Sequence, residues 1–160
     1  MTTLQLLLDR AAIEDVVARL AHTQDDKDFA GFGALFAEQV RLQMSGPDGA
    51  RVLSRDEMAE LGRSVLGGFT STQHLTSNVL CDVDGDTARC RASVQAYHHV
   101  PTDPGVADWC IQRNRWELEM RRDADGWRIT AWSMVQNGPT EGYAGVYRVA
   151  AASTSRGVTR

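Results

Sequence analysis

The chain has 160 residues, of which 42% are hydrophobic and 24% charged, and its formal net charge is −4. This composition is typical of one soluble globular domain, and the acidic balance argues against nucleic acid or an anionic membrane as a partner, because both require a basic surface. No apolar stretch approaches membrane-spanning length. Residues 1–4 lack the basic and apolar regions of a signal peptide, so we expect a cytoplasmic protein.

The first part of the chain is predicted to be mainly helical. Residues 4–25 repeat apolar side chains at spacings of three and four, which predicts an amphipathic helix. A second helix is predicted over about 29–36, followed by a short strand at 40–44 and a turn at 45–49. Ser54 and Glu57 form a capping box that begins a third helix, which Gly67-Gly68 ends.

Strands dominate the remainder. Four are predicted, over residues 74–83, 87–100, 109–122 and 127–136. Asp84-Gly85-Asp86 is a tight hairpin signal between the first two. Residues 1–138 are therefore expected to form one domain and residues 139–160 a C-terminal tail. The tail's Gly, Ser and Thr content favours partial disorder, whereas Tyr143 and Tyr147 offer contacts that would dock it.

Helices gathered at one end of the sequence and strands at the other predict an α+β fold, with about three N-terminal helices on one face of a curved antiparallel sheet. The second long strand alternates cleanly. Ala88, Ala96 and His98 share one face with the other apolar residues, while Tyr97 and His99 share the opposite face.

This order of elements, over about residues 5–138, resembles the SnoaL-like branch of the nuclear transport factor 2-like superfamily. The matching segments are AIED (12–15), DDKD (25–28), LFAE (35–38), TQHLTSNV (72–79), VDGDTA (83–88) and DGWRI (125–129). The resemblance implies a cone-shaped, cystatin-like fold in which the helices and the curved sheet enclose a pocket.

Within that branch the chain looks most similar to the group that holds scytalone dehydratase, bile-acid dehydratase and hexachlorocyclohexane dehydrochlorinase. These enzymes use an Asp at the end of the first helix and a His at the start of the first long strand, and Asp25 and His74 match those positions, with Asp26 as the alternative if the register slips by one. Several relatives also carry a tyrosine in the first helix. The corresponding region here holds His22 and Gln24, so tyrosine-assisted activation of a carbonyl is not implied.

The pair has a physical rationale. A neutral imidazole is a good general base near neutral pH, and a carboxylate on its far nitrogen fixes the tautomer and stabilises the imidazolium. No G-x-S-x-G elbow is present, which favours elimination, isomerisation or ring closure over acyl transfer. The alternative is structural: Asp25 ends a helix and His74 satisfies a strand terminus.

Other residues are candidates for the same pocket. His98 is in phase with the apolar face and is predicted to be a second acid/base or a donor to a substrate oxygen; alternatively it reaches solvent at a strand end. Asn114, Trp116 and Met120 share one strand face and are predicted to contact substrate, or else to be core. Asn137 follows the last strand and is placed to orient a substrate carbonyl.

No cofactor or metal is expected. His98 and His99 are adjacent and point to opposite faces of a strand, and no spaced ligand set or Gly-rich phosphate cradle occurs. The three cysteines, at 81, 90 and 110, form no C-x-x-C pair and are predicted to be free thiols, with Cys90 and Cys110 buried among apolar strand residues.

The leading hypothesis is a cofactor-independent lyase or isomerase with an Asp–His acid/base pair and a hydrophobic polycyclic or polyketide-like substrate. A polyketide cyclase using the same pair, and a non-catalytic binding or assembly module, are the alternatives. An epoxide hydratase would need a second carboxylate in the pocket, and the sequence offers no clear one. Trp109, Ile111 and Trp132 predict an apolar outer sheet face, and hence a homo-oligomer, trimer or dimer.

Overall fold

The computed structural model describes residues 2–44 and 49–157. The helices are α1 (Thr3–Asp25), α2 (Phe29–Ala34), α3 (Arg55–Leu66) and α4 (Val146–Gly157). The strands are β1 (Phe36–Gln43), β2 (Arg51–Ser54), β3 (Ser71–Asp84), β4 (Thr87–His99), β5 (Trp109–Asp123), β6 (Gly126–Gln136) and β7 (Glu141–Gly142). The turn predicted at 45–49 lies, except for its last residue, outside the described residues. The α+β class is confirmed.

Local sequence signals begin and end several of these elements. The predicted capping box is confirmed: the Glu57 N–H donates to the Ser54 hydroxyl and the Glu57 carboxylate accepts the Ser54 N–H. The β3–β4 hairpin turns at Gly85, whose φ of +59° is in the left-handed region that favours glycine. Asp28 caps α2 by accepting the Gly31 N–H. That short helix ends at residue 34, so the chain enters β1 earlier than predicted.

The sheet is curved and unclosed, with strand order β2-β1-β6-β5-β4-β3 and β7 added beside β5. The expectation of an antiparallel sheet was wrong in one place, because β1 runs parallel to β6. The reason is that β6 is the open edge of the β3–β6 meander. Pairing with β1 satisfies that edge and also buries Phe36, Val40 and Leu42 under the helices.

The inner face of the sheet carries the core. On β4 the predicted alternation is confirmed, since Ala88, Cys90, Ala92, Val94, Ala96 and His98 are all buried. One apolar cluster lies between α1, α2 and this face. A second cluster, built on Phe69, Val100, Cys110 and Val146, joins α3 and α4 to the opposite end of the sheet.

Residues 139–157 pack onto the domain. β7 pairs with β5, and α4 buries Val146 and Ala150 completely. The inner face of the sheet remains open beside α2, α3, α4 and the end of α1, where it forms a cavity. Within the described ranges, no helix is both long enough and apolar enough to cross a membrane.

Candidate active site

The end of α1 and the start of β3 bring Asp25 and His74 together. The His74 ring Nδ1 lies 2.6 Å from Asp25 Oδ1, and the His74 backbone N–H donates to Oδ2 at 2.8 Å. The Thr72 hydroxyl donates to Oδ1 at 2.9 Å. α1 stops here because Lys27 adopts a left-handed φ of 57°, which turns the chain away and leaves the carboxylate against β3.

This arrangement selects the tautomer of His74. An ionised carboxylate only accepts hydrogen bonds, so Nδ1 carries the proton and Nε2, across the ring, is the basic atom. The two side chains are only 6% and 19% exposed. Burial by itself raises the pKa of Asp25, but the hydrogen bonds and charge of His74, with the Thr72 hydroxyl, outweigh it and hold that pKa below its ordinary value. Asp25 is therefore a carboxylate at neutral pH.

His98 lies beside this pair and is 2% exposed. Its ring is perpendicular to that of His74, with 5.4 Å between the centroids. Burial, and then the neighbouring His74, lowers the pKa of His98 to about 3. His98 is consequently neutral at physiological pH and faces the interior, not solvent.

Tyr147 reaches the same place from α4. Its hydroxyl oxygen lies 3.2 Å from Nε2 and 3.3 Å from Nδ1 of His98. Burial raises the pKa of Tyr147, so the phenol stays protonated. From the sequence, Tyr147 was predicted only to be a residue that could dock the C-terminal tail. The apolar spacing of Val146, Tyr147 and Ala150 was the available signal that it lies on a buried helix face.

His74, His98 and Tyr147 line a cavity of about 350 Å³, and Asp25 lies behind His74. The cavity's apolar wall comes from α2, α3 and the inner sheet face and consists of Phe32, Leu42, Met44, Leu61, Val65, Leu66, Ala96, Trp116, Trp132 and Met134. Its other polar side chains are four carboxamides, from Gln24, Gln112, Asn114 and Gln136. This volume is near the lower end of the range for small-molecule sites.

Residues 5–133 match the SnoaL-like domain family. The chain belongs to the SnoaL-like domain family. No curated protein sequence matches it.

Solved structures share the fold of this SnoaL-like domain. A protein from Kribbella flavida superposes with a TM-score of 0.83 at 22% identity, covering 89% of this chain and 99% of the other. A protein from Novosphingobium aromaticivorans provisionally named a scytalone dehydratase has a TM-score of 0.77 at 20% identity, with 89% and 92% covered. A type 2 hexachlorocyclohexane dehydrochlorinase has a TM-score of 0.76 at 18% identity, with 91% and 96% covered.

Not every predicted site residue of this SnoaL-like domain reaches the cavity. Asn114 and Trp116 line it, but Met120 and Asn137 do not. Met120 is on the predicted strand face, but it pairs with Ala88 at the other end of the strand. There the helices cover the sheet, so Met120 is buried in the core and not in the cavity. Asn137 lies beyond β6, is exposed, and donates its backbone N–H to a β5 carbonyl.

Core and subunit interface were the predicted alternatives for Trp132. It belongs to the core cluster and also faces the cavity, so it is not on the outer side of the sheet. It lies 5.5 Å from Trp116, ring to ring, and 5.9 Å from Phe36. The β5–β6 register shifts between Glu119 and Met120, and a one-residue irregularity reverses the side-chain alternation beyond it. The homo-oligomer remains a prediction.

The remaining histidines lie elsewhere on the SnoaL-like domain. His99 faces the opposite side of β4 from His98 and lies 3.1 Å from Asp108, and His22 is exposed on α1. Asp26, the alternative to Asp25, is exposed and forms the C-cap of α1. Throughout 2–44 and 49–157, no three His, Cys, Asp or Glu side chains are grouped as a metal ligand set.

Proposed function

We propose that this protein is a cofactor-independent lyase or isomerase acting on a hydrophobic small molecule, with His74 as general base and Asp25 as the group that orients it. The observation that carries the proposal is the 2.6 Å contact with Asp25 made by Nδ1 of His74, a residue in the wall of a mainly apolar cavity. Fold relatives named as a dehydratase and a dehydrochlorinase support the reaction class by analogy.

The proposed step is proton abstraction from carbon. Nε2 of His74 removes a proton beside an electron-withdrawing group, and the C–H electron pair becomes the new double bond as the leaving group departs with its own pair. Asp25 stabilises the imidazolium that forms. If the leaving group is hydroxide, the imidazolium protonates it, so water is released and the site returns to its starting state. A positioned base of this kind contributes roughly 10²- to 10⁴-fold in rate.

The cavity favours this chemistry over covalent catalysis. Among the described residues that line it, none is Ser, Thr or Cys, so the base has no serine, threonine or cysteine nucleophile to activate. Proton transfer to and from the ligand itself is the chemistry left to the pair. The apolar walls exclude water, which strengthens the electrostatic contribution of Asp25.

A polyketide cyclase is the second candidate, because the family match is to the SnoaL-like domain. Ring closure would use the same base to generate a carbanion that attacks a carbonyl within the same molecule. The cavity of about 350 Å³ suits a compact ring system better than a long polyketide chain. We therefore rank elimination or isomerisation first.

The test is solvent-proton exchange into candidate substrates. Wild-type protein is incubated in D₂O with a panel of cyclic β-hydroxyketones, enones and chlorinated rings, and NMR follows deuterium entry and loss of water or chloride. We expect exchange with at least one ketone, and its loss in His74→Gln and Asp25→Asn. The matched control is His99→Gln, on the opposite face of the same sheet. Undiminished exchange in His74→Gln would rule out this base.

A further inference from the structure

The C-terminal helix α4 forms part of the cavity wall. Val146 and Ala150 are fully buried against Phe69 and Val100. The helix also approaches Gly68 so closely that a Cβ there would overlap the Ala150 carbonyl. This contact requires glycine. The packing therefore determines where the side chain between the two buried positions, Tyr147, is directed.

The Tyr147 ring is held between two other rings. Phe69 packs edge-on against Tyr147 at 5.1 Å and lies 5.0 Å from His98. The Tyr147 and His98 rings are 5.0 Å apart at 48°. Because the hydroxyl is almost equidistant from both His98 nitrogens, it is not aligned with one lone pair. A phenol offers one donor and two acceptor positions, so it retains hydrogen-bonding capacity toward a ligand.

Neither His98 nor Tyr147 carries a charge at neutral pH. The lowered pKa of His98 leaves that ring neutral and the raised pKa of Tyr147 leaves the phenol protonated. No Lys or Arg is found among the described residues that line the cavity. A departing halide would therefore meet no permanently charged cation beside Tyr147 and His98, whereas a carbonyl or hydroxyl oxygen would meet a buried donor there.

We propose that Tyr147 and His98 form an uncharged site for an oxygen substituent of the substrate, so that the preferred substrates are neutral ketones or alcohols and not halogenated hydrocarbons. The role of this oxygen site in catalysis rests on the proposed function. The centroid distance of 5.4 Å between His74 and His98 places the oxygen site one ring away from the base. That separation suits a ligand in which the proton removed by His74 and the oxygen bound by Tyr147 and His98 are on neighbouring carbons.

The experiment compares two probes with the same skeleton, 2-tetralone and tetralin, by the fluorescence of Trp116 and Trp132 in the cavity wall. We expect wild type to bind the ketone roughly tenfold more tightly than the hydrocarbon, the factor for about 1.4 kcal/mol. Tyr147→Phe should abolish this preference by weakening the ketone only. Tyr143→Phe, on the same segment but outside the cavity, should leave it intact.

Two further variants separate the possible outcomes. Gly68→Ala should displace α4 and reduce the ketone preference as Tyr147→Phe does, while Asp25→Asn should keep it. A preference that depends on Tyr147 in a protein without proton-exchange activity would support the oxygen site and refute the lyase. Equal binding of the two probes by wild type, no binding of either, or an unchanged preference in Tyr147→Phe would overturn the oxygen site.

Discussion

Helix α1 carries two carboxylates toward the sheet, and their partners make them different groups. Near its start Asp9, 2% exposed, receives two 2.6 Å contacts from the Arg122 guanidinium. Arg122 also contacts Asp86 at 3.0 Å and lies over the Trp127 ring. At the end of the same helix, Asp25 contacts His74 at the cavity.

The two partners differ in whether they can release a proton at physiological pH. An arginine side chain stays protonated at any physiological pH, so the Asp9 end is a fixed ion pair that can only hold the helix to the sheet. An imidazole can take up and release a proton in this range, so a carboxylate against a neutral histidine at the other end can support proton transfer. Hydrogen bonding to Arg122 lowers the pKa of Asp9. Both carboxylates thus have lowered pKa values, and the lowered value alone does not mark the functional one.

The largest effect is expected from removing the Asp25–His74 contact at the cavity end of α1. Asp25→Asn should lower proton-exchange activity by on the order of 10³- to 10⁴-fold, because the amide offers His74 the wrong tautomer. Thermal unfolding of the variant should stay close to wild type, since the amide oxygen can still accept the His74 backbone N–H and the Thr72 hydroxyl can turn to accept from the amide NH₂. Exchange kinetics by NMR and a melting curve measure the two quantities. A variant that melts early and stays active would reverse the roles we assign.

The next effect concerns pH and His98. The unfolded chain binds a proton at His98 below its ordinary pKa of 6.5, but the folded protein does so only near pH 3. The contribution of His98 to the free energy of unfolding should therefore be fully present above pH 6.5. It should decrease as the pH falls, by up to about 1.4 kcal/mol per pH unit. His98→Gln should flatten the slope, measured by urea unfolding at pH 7, 6 and 5. An identical slope in wild type and variant would contradict the buried neutral His98.

The lowered pKa of Asp25 predicts a separate and more acidic window. Its stabilising contribution is present above the unfolded pKa near 3.8 and is lost as pH falls through its lower folded value. Between pH 5 and 7 the slope should thus belong to His98 and not to Asp25. Asp25→Asn, measured over the same range, is the matched control.

Removing the Asp9–Arg122 ion pair at the other end of α1 should have the opposite effect, lowering stability and leaving activity unchanged. Asp9→Ala leaves Arg122 without its main partner, and we expect the melting temperature to fall by several degrees while activity at low temperature is retained. Arg122→Ala should behave alike, because it strands a carboxylate that is 2% exposed. Differential scanning calorimetry beside an activity assay at 15 °C tests this pair. Loss of activity without loss of stability would show that the two ends are coupled.

The smallest effects are expected at the two predicted positions that do not reach the cavity. Met120→Leu, a volume-conserving change in the core, should cost less than about 1.5 kcal/mol and leave ligand affinity unchanged. Asn137→Ala should change neither stability nor affinity, because its side chain is exposed. Asn114→Ala, in the cavity wall, should weaken binding of a polar ligand several-fold. Titrations of the three variants with one probe compare them directly.

The periodic segments were predictable because their information is local. The spacing in α1 and the strict alternation in β4 placed Ile13, Leu20, Ala96 and His98 on inward faces without any knowledge of their partners. The Asp25–His74 pair was inferred from a family resemblance, and the structure brings those two residues together across 49 positions of sequence. Periodicity alone would not have joined them.

The sequence by itself determined the capping box, the β3–β4 hairpin and the inward face of β4, since each depends on residues close to one another in sequence. It also determined the α+β class, because that class follows from the order of the helices and strands along the chain. The tertiary structure decided three other features. β1 took the open edge beside β6, an irregularity between β5 and β6 turned Trp132 into the cavity, and α4 docked on Gly68 to bring Tyr147 to His98. These depend on edges, registers and close approaches between distant segments, which no local period encodes.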